Sequence, residues 1–300
     1  MNILEIQQLN KSYGNTKALS NIDLSIPDGG IFGVLGPNGA GKTTLIRIIN
    51  QIIDQDSGQI FFKNQILKRS HIKNIGYLPE ERGLYKKMKV WDQLIYFTRL
   101  KGLSAEEAKI KVGSWLDKME ISHWKNKRID DLSKGMAQKV QFISAVLHEP
   151  ELLILDEPFS GFDPVNAELI KNEILDLKAK GVTILLSTHR MESVELLCDE
   201  IAMFNKSKKI LVGKLNDVKN QFRTNTFELK LKTLPGTDIP TPWKWIMNGE
   251  SNTYHIPVEQ GKSNEVLQEA MAIGEVIGFK EILPSMEEIF IQQVKKHENG

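Results

Sequence analysis

Ile31-Phe32-Gly33-Val34-Leu35-Gly36-Pro37-Asn38-Gly39-Ala40-Gly41-Lys42-Thr43-Thr44 is the stretch whose reading decides the fold. Its first five residues are apolar throughout and predict a short buried strand. Gly36 to Thr43 then satisfies G-x-x-x-x-G-K-[ST] in full, and a helix over about Lys42 to Gln51 follows. The glycines let the backbone turn tightly enough to aim successive N–H groups at phosphate oxygens. The helix N-terminus adds positive potential at the same place. In such a loop Lys42 reaches the β- and γ-phosphates, the Thr43 hydroxyl coordinates Mg²⁺, and Thr44 assists at the α- and β-phosphates. The loop alone fits several kinds of nucleotide enzyme, kinases and GTPases among them.

Two carboxylates narrow the choice. Leu152-Leu153-Ile154-Leu155 reads as a strand buried on both faces, and it ends in Asp156-Glu157. Such a strand delivers Asp156 to the sheet edge beside the phosphate loop, where it can hold Mg²⁺ through water. Glu157, one residue on, is placed to polarise an attacking water as a general base. Adjacent carboxylates repel without a nearby cation, which separates this pair from an ordinary acidic turn. The next apolar run, Val182 to Leu186, leads to Ser187-Thr188-His189-Arg190. Beside Asp156 and Glu157, His189 is a candidate for touching the γ-phosphate and orienting water. The chemistry these residues imply is ATP hydrolysis.

Length and composition set limits. A chain of 300 residues has room for one large and one small domain. Its formal net charge of +1 argues against nucleic acid as a main partner, because a phosphate backbone needs a marked excess of Lys and Arg. The single cysteine, Cys198, forms no internal disulfide and reads as packing in an apolar helical run. No stretch reaches the roughly 18 to 20 apolar residues that span a bilayer, and the N-terminus lacks the pattern of a signal peptide. A membrane role has to come through a partner.

Strands alternate with helices over the first two thirds of the chain, which predicts an α/β core with a mostly parallel sheet. Residues 2 to 9 and 22 to 26 read as further strands. Residues 86 to 148 are mostly helical in pattern, with a capping box at Ser104 to Glu107. After about Leu215 the pattern changes. Strand-like runs at 227 to 231, 243 to 248, 253 to 258 and 276 to 283 mix with helical runs near 264 to 273 and 286 to 296. Pro235, Pro240 and Pro242 lie among them. The expected division is a nucleotide-binding domain over 1–220 and a small α+β domain over 221–300.

The order of these pieces resembles the ATP-binding-cassette (ABC) ATPases over about residues 1 to 220. Leu132-Ser133-Lys134-Gly135-Met136-Ala137-Gln138 resembles the family signature, usually LSGGQ, with Lys134 and Met136 as departures. The resemblance implies that Ser133 and the Gly135 N–H face the γ-phosphate bound to an opposite subunit. It assigns Tyr13 to adenine stacking and Asp163 to a loop that crosses the dimer interface. It also puts Glu80 where most members carry Gln, as a ligand of Mg²⁺ and the lytic water with an added negative charge. Tyr77 to Tyr85 together with LSKGMAQKVQF is similar to the ABC-2-type exporter branch, whose members resemble sodium-efflux and drug-resistance ATPases. This resemblance implies a homodimer that takes ATP and Mg²⁺ and drives a separate ABC-2-type transmembrane permease from the cytoplasmic face of the membrane. A soluble, non-transport ABC ATPase is the alternative.

Overall fold

The computed structural model describes residues 1–81, 83–233, 240, 243–246 and 252–298. The chain divides into two compact units, Met1–Leu215 and Asn216–Gly300. The first unit opens with a long antiparallel hairpin, β1 (Asn2–Tyr13) and β2 (Thr16–Pro27). There follow β3 (Ile31–Leu35), α1 (Lys42–Ile49), β4 (Ser57–Phe62), β5 (Gln65–Ile66) and β6 (Ile75–Leu78). A helical stretch comes next: α2 (Val90–Leu100), α3 (Ala105–Lys118) and α4 (Lys134–Val146). The unit ends with β7 (Leu152–Asp156), α5 (Pro164–Ala179), β8 (Thr183–Ser187), α6 (Met191–Leu197), β9 (Glu200–Asn205) and β10 (Lys208–Lys214).

Two sheets result. One is antiparallel, in the order β2-β1-β4-β5. The other runs β10-β9-β3-β8-β7-β6. Every pair from β9 to β6 is parallel, and β10 is an antiparallel edge on β9. All five residues of β3, β7 and β8 are buried, as strands covered on both faces must be. One apolar cluster joins Ile6, Leu24 and Ile60 of the antiparallel sheet to Val34, Ile154 and Leu185 of the parallel one, with Ile46 and Ile49 of α1 between them. Each such side chain stabilises the fold by about 1.5–3 kcal/mol through burial.

Local signals act where the sequence places them. The Ser104 hydroxyl accepts from the Glu107 N–H at 3.2 Å, and the Glu107 carboxylate accepts from the Ser104 N–H at 2.8 Å, closing the capping box of α3. The first two strands run longer than their apolar alternation suggests. Their outer ends pair Ser12 with Lys17 and Tyr13 with Thr16, so ladder hydrogen bonds rather than burial extend them. Strand β9 carries Ile201-Ala202-Met203-Phe204 straight after a helix, and an apolar run with Ala and Met has no period that excludes helix.

In the second unit, α7 (Leu215–Gln221), whose first residue closes the first unit, leads to β11 (Thr226–Thr233). The rest is β12 (Lys244–Ile246), β13 (Asn252–Pro257), α8 (Ser263–Ile273), β14 (Gly274–Ile282) and α9 (Met286–Glu298). The sheet is antiparallel throughout, in the order β12-β13-β11-β14. Leu229, Leu231, Tyr254 and Ile256 form its core with Ala270 and Ile273 of α8. Phe227 and Phe279 stack alongside with centroids 4.8 Å apart. Pro235, Pro242 and the end of the strand expected at 243 to 248 lie outside the described residues, as does Arg82. Among the described residues, no helix is long and apolar enough to cross a membrane.

Candidate functional site

The parallel sheet gathers the chemistry at its carboxyl edge. There β3 runs into the glycine loop, β8 into Thr188 and His189, β7 into Glu157, and β6 into Pro79 and Glu80. Loops leaving the carboxyl ends of adjacent parallel strands open onto one crevice. That crevice is a cleft of about 350 Å³ whose lining includes Tyr13, Lys42, Thr43, Glu80, Asp156 and His189. Asn38, Gly39, Gly41, Thr44 and Glu157 line it too.

The loop backbone fits a phosphate cradle. Gly41 has φ +108°, and a Cβ there would lie 2.3 Å from the Ala18 carbonyl oxygen. Gly36 packs as closely, since its Cβ would meet the Phe204 carbonyl oxygen at 2.4 Å. Both positions therefore require glycine. Pro37 is half-buried and Ala40 buried between them. The Lys42 ammonium folds back inside the loop, donating to the carbonyls of Gly36 at 2.7 Å and Pro37 at 3.1 Å. Burial lowers its pKa, while Glu157, Asp156 and Glu80 act in the opposite direction. A phosphate entering the cradle offers this cation a better partner than two neutral carbonyls.

Glu157 is held on both carboxylate oxygens. Oε1 accepts from the His189 N–H at 2.8 Å and lies 2.6 Å from His189 Nδ1; Oε2 accepts from the Thr188 hydroxyl at 3.1 Å. Its backbone sits at φ +51°, a left-handed conformation uncommon for a side-chain-bearing residue. Glu157 is buried, whereas the His189 ring reaches solvent. Oε2, with the Thr188 hydroxyl as its one partner here, keeps a lone pair and can still accept a proton from water.

Asp156 stands beside Ser187 in the parallel ladder. Burial pushes its pKa above the ordinary carboxylate value, Glu80 and Glu157 add to that rise, and Lys42 opposes it. The fully buried Ser187 hydroxyl lies close enough to counter part of the rise, yet makes no hydrogen bond of normal geometry among the described residues. A cation at this edge would relieve both strains. The donors suit Mg²⁺, a small hard ion that takes one or two carboxylates and completes its shell with phosphate and water oxygens. Asp156, Glu80 and the Thr43 hydroxyl, all on the cleft's lining, would supply the protein part. Among the described residues, no three His, Cys, Asp or Glu side chains form a closed metal cage, so the arrangement is not that of a structural zinc site.

Tyr13 ends β1 at the mouth of the cleft with its ring half exposed, offering a stacking surface. Thr16, Lys17 and Ala18 of β2 also line the cleft. Sequence reading misses them because nothing local to a hairpin announces what folds against it. Ser133 and Gly135 are not among the lining residues. Ser133 caps α4, its hydroxyl accepting from the Met136 N–H at 3.3 Å, and Gly135 follows in the first turn. Asp163 likewise caps α5, accepting from the Asn166 N–H at 2.9 Å.

A family profile described as ABC transporter matches residues 19–160. The ABC transporter ATP-binding protein YhaQ of Bacillus subtilis is 44% identical over 297 residues, which cover 97% of this chain and 98% of that protein. The chain belongs to the ABC transporter ATP-binding proteins. The second unit of this ABC protein matches a profile described as ATP-binding protein DrrA1-3-like, C-terminal domain, over residues 213–294. The Nod factor export ATP-binding protein I of Cupriavidus pinatubonensis is 33% identical and aligns with 83% of the chain and 79% of its own length. A solved ATP-binding subunit of an ABC transporter superposes with a TM-score of 0.69 at 30% identity, covering 73% of the chain and 93% of its own. The fold is therefore an ABC cassette, a P-loop nucleotide-binding fold with a parallel-rich central sheet.

Proposed function

We propose that two copies of the chain clasp ATP head to tail, hydrolyse it, and drive a separate membrane-spanning exporter subunit. One observation carries the reading. The cleft holds the phosphate loop, both carboxylates and His189, while Ser133 and Gly135 lie outside it. With Ser133 and Gly135 joined to the site as the family resemblance implies, one chain holds its two halves apart, and a second copy in head-to-tail arrangement would complete both at once.

Within such a site the residues divide the work. The loop N–H groups and Lys42 bind the phosphates, and Tyr13 stacks on the base. Mg²⁺ held by Thr43, Asp156 and Glu80 would neutralise charge on the phosphate oxygens. Glu157, oriented by Thr188 and His189, takes a proton from the attacking water. His189, exposed beside it, can donate a hydrogen bond to the γ-phosphate. Ser133 and the Gly135 N–H of the second copy donate from the start of α4.

The partner reading is supported by a relative named for export and by an apolar groove next to the Glu80 loop. Ile52, Ile72, Pro79, Leu84, Phe97 and Leu100 line this groove of about 340 Å³. Ile52, Tyr85, Tyr96 and Leu100 are large apolar side chains left exposed around it. A permease segment docked there would place the protein on the cytoplasmic face of the membrane. The ABC-2-type branch rests on the Tyr77–Tyr85 and Leu132–Phe142 stretches.

The test uses Glu157→Gln protein, in which hydrolysis stops while binding persists. With MgATP its mass by light scattering should double. A monomer at saturating MgATP would contradict the sandwich.

A further inference from the structure

Gln141 lies on α4, two turns beyond Ser133, and is almost fully buried. Its side-chain amide donates to two main-chain carbonyls, Pro79 at 3.1 Å and Glu81 at 3.2 Å. These two residues bracket Glu80. Only the NH₂ end of the amide can donate to a carbonyl, so the two contacts fix which way it faces. The other end, the Gln141 carbonyl oxygen, is buried without a hydrogen-bond partner among the described residues.

That combination is informative. An apolar side chain would fill the same inward face of α4 without burying an unsatisfied oxygen. The amide gives up satisfaction at one atom to hold a loop with the other. Glu80 itself is exposed, so the backbone on either side of it governs where its carboxylate stands in the cleft. The clamp therefore spans the distance between two functional surfaces. Eight steps along the helix, about 12 Å of stiff α4, take Ser133 to Gln141.

We infer that Gln141 is a positioning residue, tying the helix that begins at Ser133 to the loop that carries Glu80. Glu80 keeps its place in the cleft only while α4 keeps its own. A shift of that helix, whether from docking of a second copy at Ser133 or of a partner in the adjoining groove, reaches the metal side of the site through one amide. Gln141 lines that groove as well. The inference rests on the reading of the cleft as an ATP–Mg²⁺ site.

The experiment compares ATP affinity, by calorimetry on the full chain, in MgCl₂ and in EDTA. The proteins are the wild type, Gln141→Met, Glu80→Ala and the double variant. Met preserves the volume and removes the donors. The ratio of affinities with and without metal should fall by about tenfold in Gln141→Met, as for other residues that orient a metal ligand. In the Glu80→Ala background the same substitution should leave that ratio unchanged. The loss of two buried hydrogen bonds lowers the melting temperature in both backgrounds, so stability alone cannot produce this pattern. Gln141→Glu, which sets a carboxylate against the same carbonyls, should reproduce it more strongly. An unchanged ratio in both Gln141 variants, or an equal fall with and without Glu80, would overturn the inference. A wild type that fails to bind MgATP would instead sink the proposed function.

Discussion

Glu157 and His189 meet twice: the carboxylate accepts the histidine main-chain N–H at 2.8 Å and lies 2.6 Å from its ring nitrogen Nδ1. The main-chain contact orients the carboxylate whatever the ring does, so the exposed ring can turn from Glu157 to the nucleotide without releasing it. Glu157→Gln keeps the shape and removes the base. Its hydrolysis rate should fall by about 10²- to 10⁴-fold with ATP affinity retained, measured by phosphate release and calorimetry. His189→Ala should also slow hydrolysis without releasing Glu157, because the N–H and Thr188 contacts remain.

Asp156 gives a prediction about the empty fold. Its folded pKa is raised, so between the unfolded and folded values the native state binds more protons than the unfolded one. Stability from this group is then greatest at low pH and is lost as pH rises through the folded value. Asp156→Asn removes the buried charge. Nucleotide-free Asp156→Asn should melt above the wild type at pH 7, and the gap should close on acidification. It should lose hydrolysis all the same.

His148 acts in the reverse sense. Burial, with Lys101 and Lys111 nearby, pushes its pKa from 6.5 to about 4. Its Nε2 lies 3.2 Å from the Ile75 carbonyl oxygen, which also accepts from Lys101 at 2.6 Å. The unfolded chain takes up the proton first, so His148 costs stability as pH falls from 6.5 to about 4. The full loss is roughly 3 kcal/mol. His148→Gln should flatten the acid limb of the melting curve over that window; an unchanged limb would remove His148 from the account.

Gly41 is the backbone position with least tolerance in the cradle. Alanine there combines φ +108° with a 2.3 Å approach to the Ala18 carbonyl oxygen. Gly41→Ala should weaken ATP binding by more than about tenfold and lower the melting temperature. Unchanged affinity would mean that the loop can rearrange.

The residues that line the cleft were easier to single out in the sequence than some of the strands around them. Gly36 to Thr44, Asp156 and Glu157 announce themselves because phosphate and metal chemistry demand fixed residue types at fixed spacing. They lie on short apolar strands whose ends can be read directly. His189 needed the strand before it, and Glu80, Ser133 and Tyr13 needed the resemblance. Thr16 to Ala18, Thr188 and Gln141 stayed hidden, because their importance lies in contacts across the fold. A glutamine at position 141 reads as one more polar helical residue until the helix is seen against Pro79 and Glu81. Strand β9 was missed for a related reason: burial in a sheet between β3 and β10 suits Ala202 and Met203, whatever their own preference.

The central claim is that each ATP lies between two copies of the chain, and complementation tests it most directly. Lys42→Ala disables the phosphate loop, and Ser133→Arg disables the signature surface. Each variant alone should hydrolyse almost no ATP. Mixed, they form heterodimers in which the intact loop of one chain meets the intact Ser133 of the other, so hydrolysis should reappear. A mixture no more active than the mean of its parts would contradict the shared site.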